Sequence, residues 1–335
     1  MTSVPRYSVI IPTFQRCASV GRALDALARQ SVPAADYEVI VSIDGSEDGT
    51  REAVASFAAP YALTGLWHSN RGRAATVNAG LAVAQGELVV LLDDDMEPAP
   101  GWLAAHGAAH AANERRGVMG AAPISFDARA RPVVRHYVGL KFNAHMQHLA
   151  NARSALSLRD FYSGNFSIRR AVLASVGAFD EAFRIYGNED LELSLRLTRA
   201  GVTLVFAPEA LAHQHYTKDF RGLARDTIAK GQTAVLLAGL HPEAFGSLQL
   251  SQSQRASWPW RTLRGGLIRL SSGAPAGAGP LIALVQALEW LPRAPLRLLY
   301  RLVLDYAYWL GVEAALRANR RERRGLLSLR GPTWA

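Results

Sequence analysis

Apolar residues fall along this chain in short, dense runs separated by polar stretches rich in glycine, proline, serine and aspartate. Residues 7–11, 37–43, 62–67 and 86–92 are apolar runs too short for helices and bounded by turn formers, the pattern of buried strands. Between them, residues 22–28, 51–57 and an alanine-rich stretch from Arg73 to about residue 84 space their apolar side chains for helices, with Ser19 placed to cap the first. Strand and helix alternate at short intervals. That predicts βαβ units and an α/β fold, a Rossmann-like, mainly parallel sheet flanked by helices.

Further on, residues 102–112 read as a helix and 117–121 as a strand, after which 123–160 loses clear periodicity and reads as an excursion over the site. His136, His145 and His148 lie in that stretch, and their spacing fits no compact ligand set, so they read as packed or solvated. Residues 161–170 give a strand leading into a helix, and 202–206 another strand. Leu191, Leu193, Leu195 and Leu197 alternate as a strand would. The acidic start, the lack of β-branched residues and the stop at Gly201 instead predict a helix over 188–200.

Parallel strands end at one sheet edge, and open α/β sheets bind their ligands there. The predicted strand ends bring Pro12-Thr13, the loop Asp44-Gly45-Ser46-Glu47-Asp48-Gly49-Thr50, the segment Asn70-Arg71-Gly72-Arg73 and the triplet Asp93-Asp94-Asp95 to that edge. Acids beside small residues leave room for a nucleoside, and Arg73 at a helix start suits a diphosphate. Extended backbone would put Asp93 and Asp95 on one face and Asp94 on the other, and a hard divalent cation relieves the repulsion of such a pair. Glu189 and Asp190 fall in the first turn of the predicted 188–200 helix, where acids favour the helix dipole and where one can also act as a base. His213 and His215, two apart, would share one side of an extended segment, either as ligands for Mn²⁺ or as packed side chains. Neither Gly-x-Gly-x-x-Gly nor Gly-x-x-x-x-Gly-Lys occurs, which argues against a dinucleotide enzyme or a P-loop ATPase.

In this order and spacing the segments resemble a family 2 glycosyltransferase with the GT-A fold. The series runs through Ser8-Val9-Ile10-Ile11-Pro12-Thr13-Phe14, the Asp44 loop, Asn70-Arg71-Gly72-Arg73 with Asn78-Ala79-Gly80, Leu92-Asp93-Asp94-Asp95, Gly164-Asn165 before Arg169-Arg170, Gly177-Ala178-Phe179-Asp180, and Glu189-Asp190-x-Glu-Leu-x-x-Arg196. It covers residues 7 to about 216. The resemblance implies an inverting, hexosyltransferase-type enzyme that uses a nucleotide-sugar donor and Mn²⁺ or Mg²⁺ in glycan, polysaccharide or glycolipid synthesis. It implies that Pro12, Thr13, Asp44, Asn70, Arg73, Asp93 and Asp94 meet the donor nucleotide and that Gly164 and Asn165 lie on the donor-sugar side. Asp95, Asp93 and His213 are the implied metal ligands, and Asp190, with Glu189 beside it, the implied catalytic base. The third acid, Asp94, departs from the Asp-x-Asp pattern and leaves the division of labour within the triplet open. Two other readings compete: a catalytically degenerate scaffold at a membrane surface, and a sugar-1-phosphate nucleotidyltransferase. The latter would carry a glycine-rich, arginine-containing loop after the first strand, where Pro12-Thr13-Phe14-Gln15-Arg16 stands.

Composition changes the picture only at the carboxyl end. From residue 251 onward thirteen arginines face four carboxylates, which accounts for the whole formal charge of +9. These arginines are interleaved with Trp258, Trp260, Trp290 and many leucines, a pattern of interfacial helices rather than of a nucleic-acid-binding face. Residues 1–240 therefore read as the catalytic domain. Residues 241–335 read as a basic, aromatic-rich helical extension that docks on anionic lipid, on the catalytic domain or on a second copy, while the acceptor is a glycan or a lipid-linked group. The lone Cys17, the absence of a leader before the first strand and the absence of a long uncharged apolar run predict a cytoplasmic chain, peripheral at most on the inner membrane face.

Overall fold

The computed structural model describes residues 4–111, 113–151, 156–253, 256–271, 273–291 and 294–327, with side chains described as far as 320. Arg255, Pro292, Arg293 and Arg330 of the predicted basic extension lie outside the described residues. Two compact units emerge. The first comprises residues 1–130, 138–185 and 189–217, and the second residues 131–137, 186–188 and 218–335.

The first unit runs β1 (Tyr7–Thr13), α1 (Cys17–Leu27), β2 (Tyr37–Asp44), α2 (Thr50–Ser56), β3 (Ala62–His68), α3 (Arg73–Val83), β4 (Leu88–Leu92), β5 (Met96–Pro98), α4 (Trp102–His110), β6 (Arg116–Gly120), α5 (Gly139–Asn151), β7 (Asn165–Arg169), α6 (Arg170–Ser175), α7 (Glu189–Arg199), β8 (Thr203–Ala207) and β9 (Ala212–Gln214). Among the described residues one sheet has seven strands in the order β3-β2-β1-β4-β7-β6-β8. Only β7 runs antiparallel to its neighbours β4 and β6, so the expected mainly parallel sheet is what forms. Residues of β1, β2 and β4 are buried on both faces, as the apolar side chains that fill most of these strands require, and the buried Ser8 and Glu38 satisfy each other at 2.6 Å. Val9, Ile11, Val39, Val41, Val90 and Leu92 pack one core layer, while Ile10, Ile40, Val89 and Leu91 pack the other.

Two local expectations are corrected. Ser19 lies inside α1 rather than capping it, and its Oγ accepts from Arg22 Nη2 at 2.9 Å. The stretch 123–160 contains the 13-residue helix α5, which buries only Gly139, Met146 and Leu149, a face too sparse for its period to stand out in the sequence.

The second unit carries α8 (Phe220–Leu240), α9 (Trp258–Leu270), α10 (Gly279–Leu288) and α11 (Leu296–Leu327). Here α8 packs along α11. Two glycines permit this approach: a Cβ on Gly231 would lie 2.1 Å from the Tyr308 carbonyl oxygen, and one on Gly311 2.0 Å from that of Ile228. Among the described residues no helix is long and apolar enough to cross a membrane.

Candidate active site

The carboxyl ends of β1 and β4 lie side by side where the strand order reverses, the switch point at which such sheets bind ligands. Beyond Leu92 the chain turns instead of staying extended: the Asp93 amide donates to the Gly164 carbonyl at 2.8 Å and the Met96 amide to the Asp93 carbonyl at 3.1 Å. That turn overrides strand alternation, so the triplet does not pair as expected. Asp93 faces Arg73, while Asp94 and Asp95 share Arg16, whose Nε and Nη1 lie 3.8 and 3.6 Å from their respective carboxylate oxygens.

Arg73, the first residue of α3, joins several elements at once. Its Nη2 donates to Asp93 Oδ1 at 2.8 Å, its Nη1 donates to Ser163 Oγ at 3.0 Å, and Nη1 lies 3.5 Å from Glu189 Oε1. Burial alone would lower the guanidinium pKa, but Asp93, Glu189 and Asp190 together hold it above the ordinary arginine value. Gly164 sits against Asp93 so closely that a Cβ there would meet its Oδ2 at 2.3 Å. Glu189 is buried and Asp190 half-buried at the start of α7, as the sequence predicted for that turn.

Thr13 at the end of β1 is buried and donates from Oγ1 to Asp94 Oδ2 at 2.7 Å, with Pro12 buried beside it. Burial pushes the Asp94 carboxyl up to about 7; Asp95 and Asp93 push the same way, while Arg16 and the Thr13 hydroxyl oppose them. Asp44 is also buried, and its carboxylate accepts the backbone amides of Arg71 and Gly72 at 2.7 and 3.1 Å. Asn70 Nδ2 donates to the Asp44 carbonyl at 3.1 Å, so the nucleotide-side loops predicted at this edge are hydrogen-bonded into one wall.

Two predicted site residues point elsewhere. Asn165 is fully buried, and all of its amide is committed: Oδ1 accepts from Trp102 Nε1 at 2.8 Å and lies 2.9 Å from His106 Nε2, and Nδ2 donates to the carbonyls of Ala121 and Ala210, each at 2.9 Å. It supports β7 and does not face a donor sugar. His213 is exposed, with Nδ1 3.3 Å from Ser125 Oγ, because strand parity in β9 turns it from the triplet. The neighbouring Gln214 reaches Asp95 instead, at 3.3 and 3.4 Å, and His215 pairs with Glu97 at 2.9 Å.

Among the described residues no three His, Cys, Asp or Glu side chains converge into a ready-made metal site. The donor chemistry nevertheless fits a hard divalent cation. Asp93, Asp94, Asp95, Glu189 and Asp190 are gathered around the two guanidiniums of Arg16 and Arg73, and the triplet offers only oxygens. The protein would supply part of a coordination shell and leave positions for ligand oxygens.

Arg16, Ser163 and Gln214 were not singled out in the sequence, since nothing in their local pattern marks them. Other family-motif residues prove to be braces. Asn78 bonds both the amide and the carbonyl of Phe179, at 3.1 and 2.9 Å. Arg196 pairs with Glu192 and donates to the carbonyls of Val176 and Ala178, holding the turn after α6 against α7.

Comparison with known proteins agrees with this geometry. The glycosyl transferase family 2 profile matches residues 8–177, and a profile described as the N-terminal domain of galactosyltransferase matches 144–219. Validoxylamine A glucosyltransferase of Streptomyces hygroscopicus subsp. jinggangensis is 29% identical over 230 residues, covering 62% of this chain and 54% of that protein. Glycosyltransferase AglE of Haloferax volcanii is 28% identical over 244 residues, 70% of this chain and 76% of that one. This chain thus spans about half the length of the validoxylamine A enzyme. In fold it resembles mannosyltransferase PcManGT from Pyrobaculum calidifontis, solved with GDP-Man and Mn²⁺, with a TM-score of 0.56 over 95% of this chain and 86% of that one at 23% identity. With a match over residues 8–177 and a GT-A-like sheet carrying its acids at the switch point, the chain belongs to glycosyltransferase family 2.

Proposed function

We propose that this chain transfers a hexosyl group, with inversion, from a nucleoside diphosphate donor to an acceptor hydroxyl. The observation that carries this reading is the reach of Arg73 to both Asp93 at the end of β4 and Glu189 at the head of α7. One guanidinium thereby ties the donor-side Asp93 to the head of the helix that carries Asp190. Asp190 accepts the proton of the acceptor hydroxyl while that oxygen bonds to the anomeric carbon and the bond from carbon to the diphosphate oxygen breaks. Arg73 offsets the charge that gathers on the departing diphosphate. A divalent cation, held by Asp95 and Asp93, would supply further positive charge to the diphosphate. Pro12, Thr13, Asp44 and Asn70 form the wall against the nucleoside, and Gly164 leaves room beside Asp93. The complex of the fold neighbour with GDP-Man and Mn²⁺ supports the donor and metal classes. A panel of nucleotide sugars with Mn²⁺, read by thermal stabilisation of the full chain, tests this. At least one donor is expected to raise Tm only with the cation; no shift with any donor would overturn the reading.

We further propose that the second unit meets an anionic membrane surface. Trp258, Leu270 and Trp290 are 70%, 85% and 87% exposed on a strongly arginine-rich sequence. Not every arginine faces outward: Arg264 is buried, pairs with Asp305 at 2.8 Å and lies over the Trp309 ring. Flotation of the full chain with phosphatidylglycerol vesicles should fall when Trp258, Leu270 and Trp290 are replaced by Gln. Equal flotation of both proteins would contradict the proposal.

A further inference from the structure

The turn that carries Arg16 is built to hold that side chain over the acidic triplet. Gln15 adopts φ +56°, a left-handed conformation that costs a residue with a Cβ of order 1 kcal/mol. The turn is fastened on both sides of Arg16: the Gln15 amide donates to Ser46 Oγ at 2.9 Å and the Cys17 amide to Asp48 Oδ2 at 3.0 Å. Both anchors belong to the loop after β2, the predicted nucleoside wall. The guanidinium then lies 3.6 Å from Asp95 and 3.8 Å from Asp94. Those separations are ion pairs without close hydrogen bonds, so the side chain is attracted to the acids without being locked to them.

We infer that Arg16 is a displaceable counter-cation of the triplet, which opposes divalent cation binding until a diphosphate draws the guanidinium away. The inference rests on the metal-and-diphosphate reading above. Arg16 lies on Asp95, one of the two acids proposed to hold the divalent ion, and beside Asp94, so its positive charge weakens the ion's binding. A diphosphate offers the guanidinium a stronger, bidentate partner and so relieves that competition. Cation and diphosphate therefore bind with positive coupling, and by linkage each strengthens the other. The anchoring of the Arg16 turn to Ser46 and Asp48 places this coupling next to the nucleoside wall.

The test measures free Mn²⁺ by electron paramagnetic resonance in titrations of the full chain, with and without inorganic pyrophosphate as a base-independent diphosphate. Arg16→Gln should bind Mn²⁺ alone about tenfold more tightly than the natural chain, and pyrophosphate should improve its Mn²⁺ affinity by a smaller factor. Arg16→Lys keeps the charge and should stay near the natural values for Mn²⁺ alone, which separates competition from a change of fold. Equal or weaker Mn²⁺ binding by Arg16→Gln, or Arg16→Lys behaving as Arg16→Gln does, overturns the inference. Asp95→Asn tells the two failures apart. If it leaves Mn²⁺ binding intact, the metal site itself is misplaced; if it weakens binding while Arg16→Gln changes nothing, only the role of Arg16 fails.

Discussion

Arg73 donates to Asp93 at 2.8 Å, although the two stand at the start of α3 and the end of β4. The pair is reinforced by Ser163 and Glu189, so the same guanidinium is held from three sides. Removing Arg73 leaves the Asp93 carboxylate and the buried Glu189 without their shared counter-charge. Arg73→Ala should lower kcat/KM for donor turnover about 100-fold or more, and Arg73→Lys, which lacks the fork, should recover only a fraction. Steady-state assays of nucleoside diphosphate release from the donor found in the panel would check both.

Gly164→Ala puts a methyl group where the Asp93 carboxylate lies, at 2.3 Å. Asp93 must move or the β7 entry must shift, and either disturbs the salt link to Arg73. The variant should keep a native circular dichroism spectrum and lose about tenfold or more in Mn²⁺-dependent nucleotide affinity by calorimetry.

His106 and His110 lie buried on α4, each within 2.9 Å of Ser167 Oγ, and burial lowers both to about 4. In the unfolded chain they titrate near 6.5, so between those values the unfolded state binds more protons and stability falls as pH falls. The loss should be on the order of 2 kcal/mol per histidine at pH 5. Urea unfolding at pH 7.5 and 5.0 should show that drop for the natural chain and a smaller one for His106→Gln. An unchanged difference would contradict burial as its cause.

Two alanine substitutions in one helix should differ in sign. Gly231→Ala drives a Cβ to 2.1 Å from the Tyr308 carbonyl on α11, whereas nothing lies within 4 Å of a Cβ at Gly239. The first should cost about 2 kcal/mol through overpacking, and the second should be neutral or gain a few tenths through helix propensity. Thermal unfolding of the two variants checks the contrast.

What the sequence made legible follows the physics of local pattern. The β4 run, Leu88 to Leu92, is apolar on both faces, so a buried parallel strand with acids at its end could be read directly. Acidic residues at a helix start and Gly201 at its end were enough to favour α7 over alternation of its leucines. The failures arise where tertiary contacts decide. The turn after Leu92 regrouped the triplet, the pairing of β9 with β5 exchanged His213 for Gln214 near Asp95, and the burial of Asn165 made it a brace. Arg16 carried no local signal, because only the folded turn at Gln15 aims it. The packing of α8 on α11 runs through Gly231 and Gly311, close approaches that no helical period reveals.

The central claim is that the acids at this sheet edge carry out transfer, with Asp190 as base. Donor binding and nucleoside diphosphate release, measured side by side for the natural chain and Asp190→Asn with Mn²⁺ and the stabilising donor, test it most directly. With Asp190 as base, the two proteins are expected to bind donor within about threefold of each other, with release slowed by about 1000-fold in the variant. Release at the natural rate by Asp190→Asn, or loss of its donor binding, would contradict it.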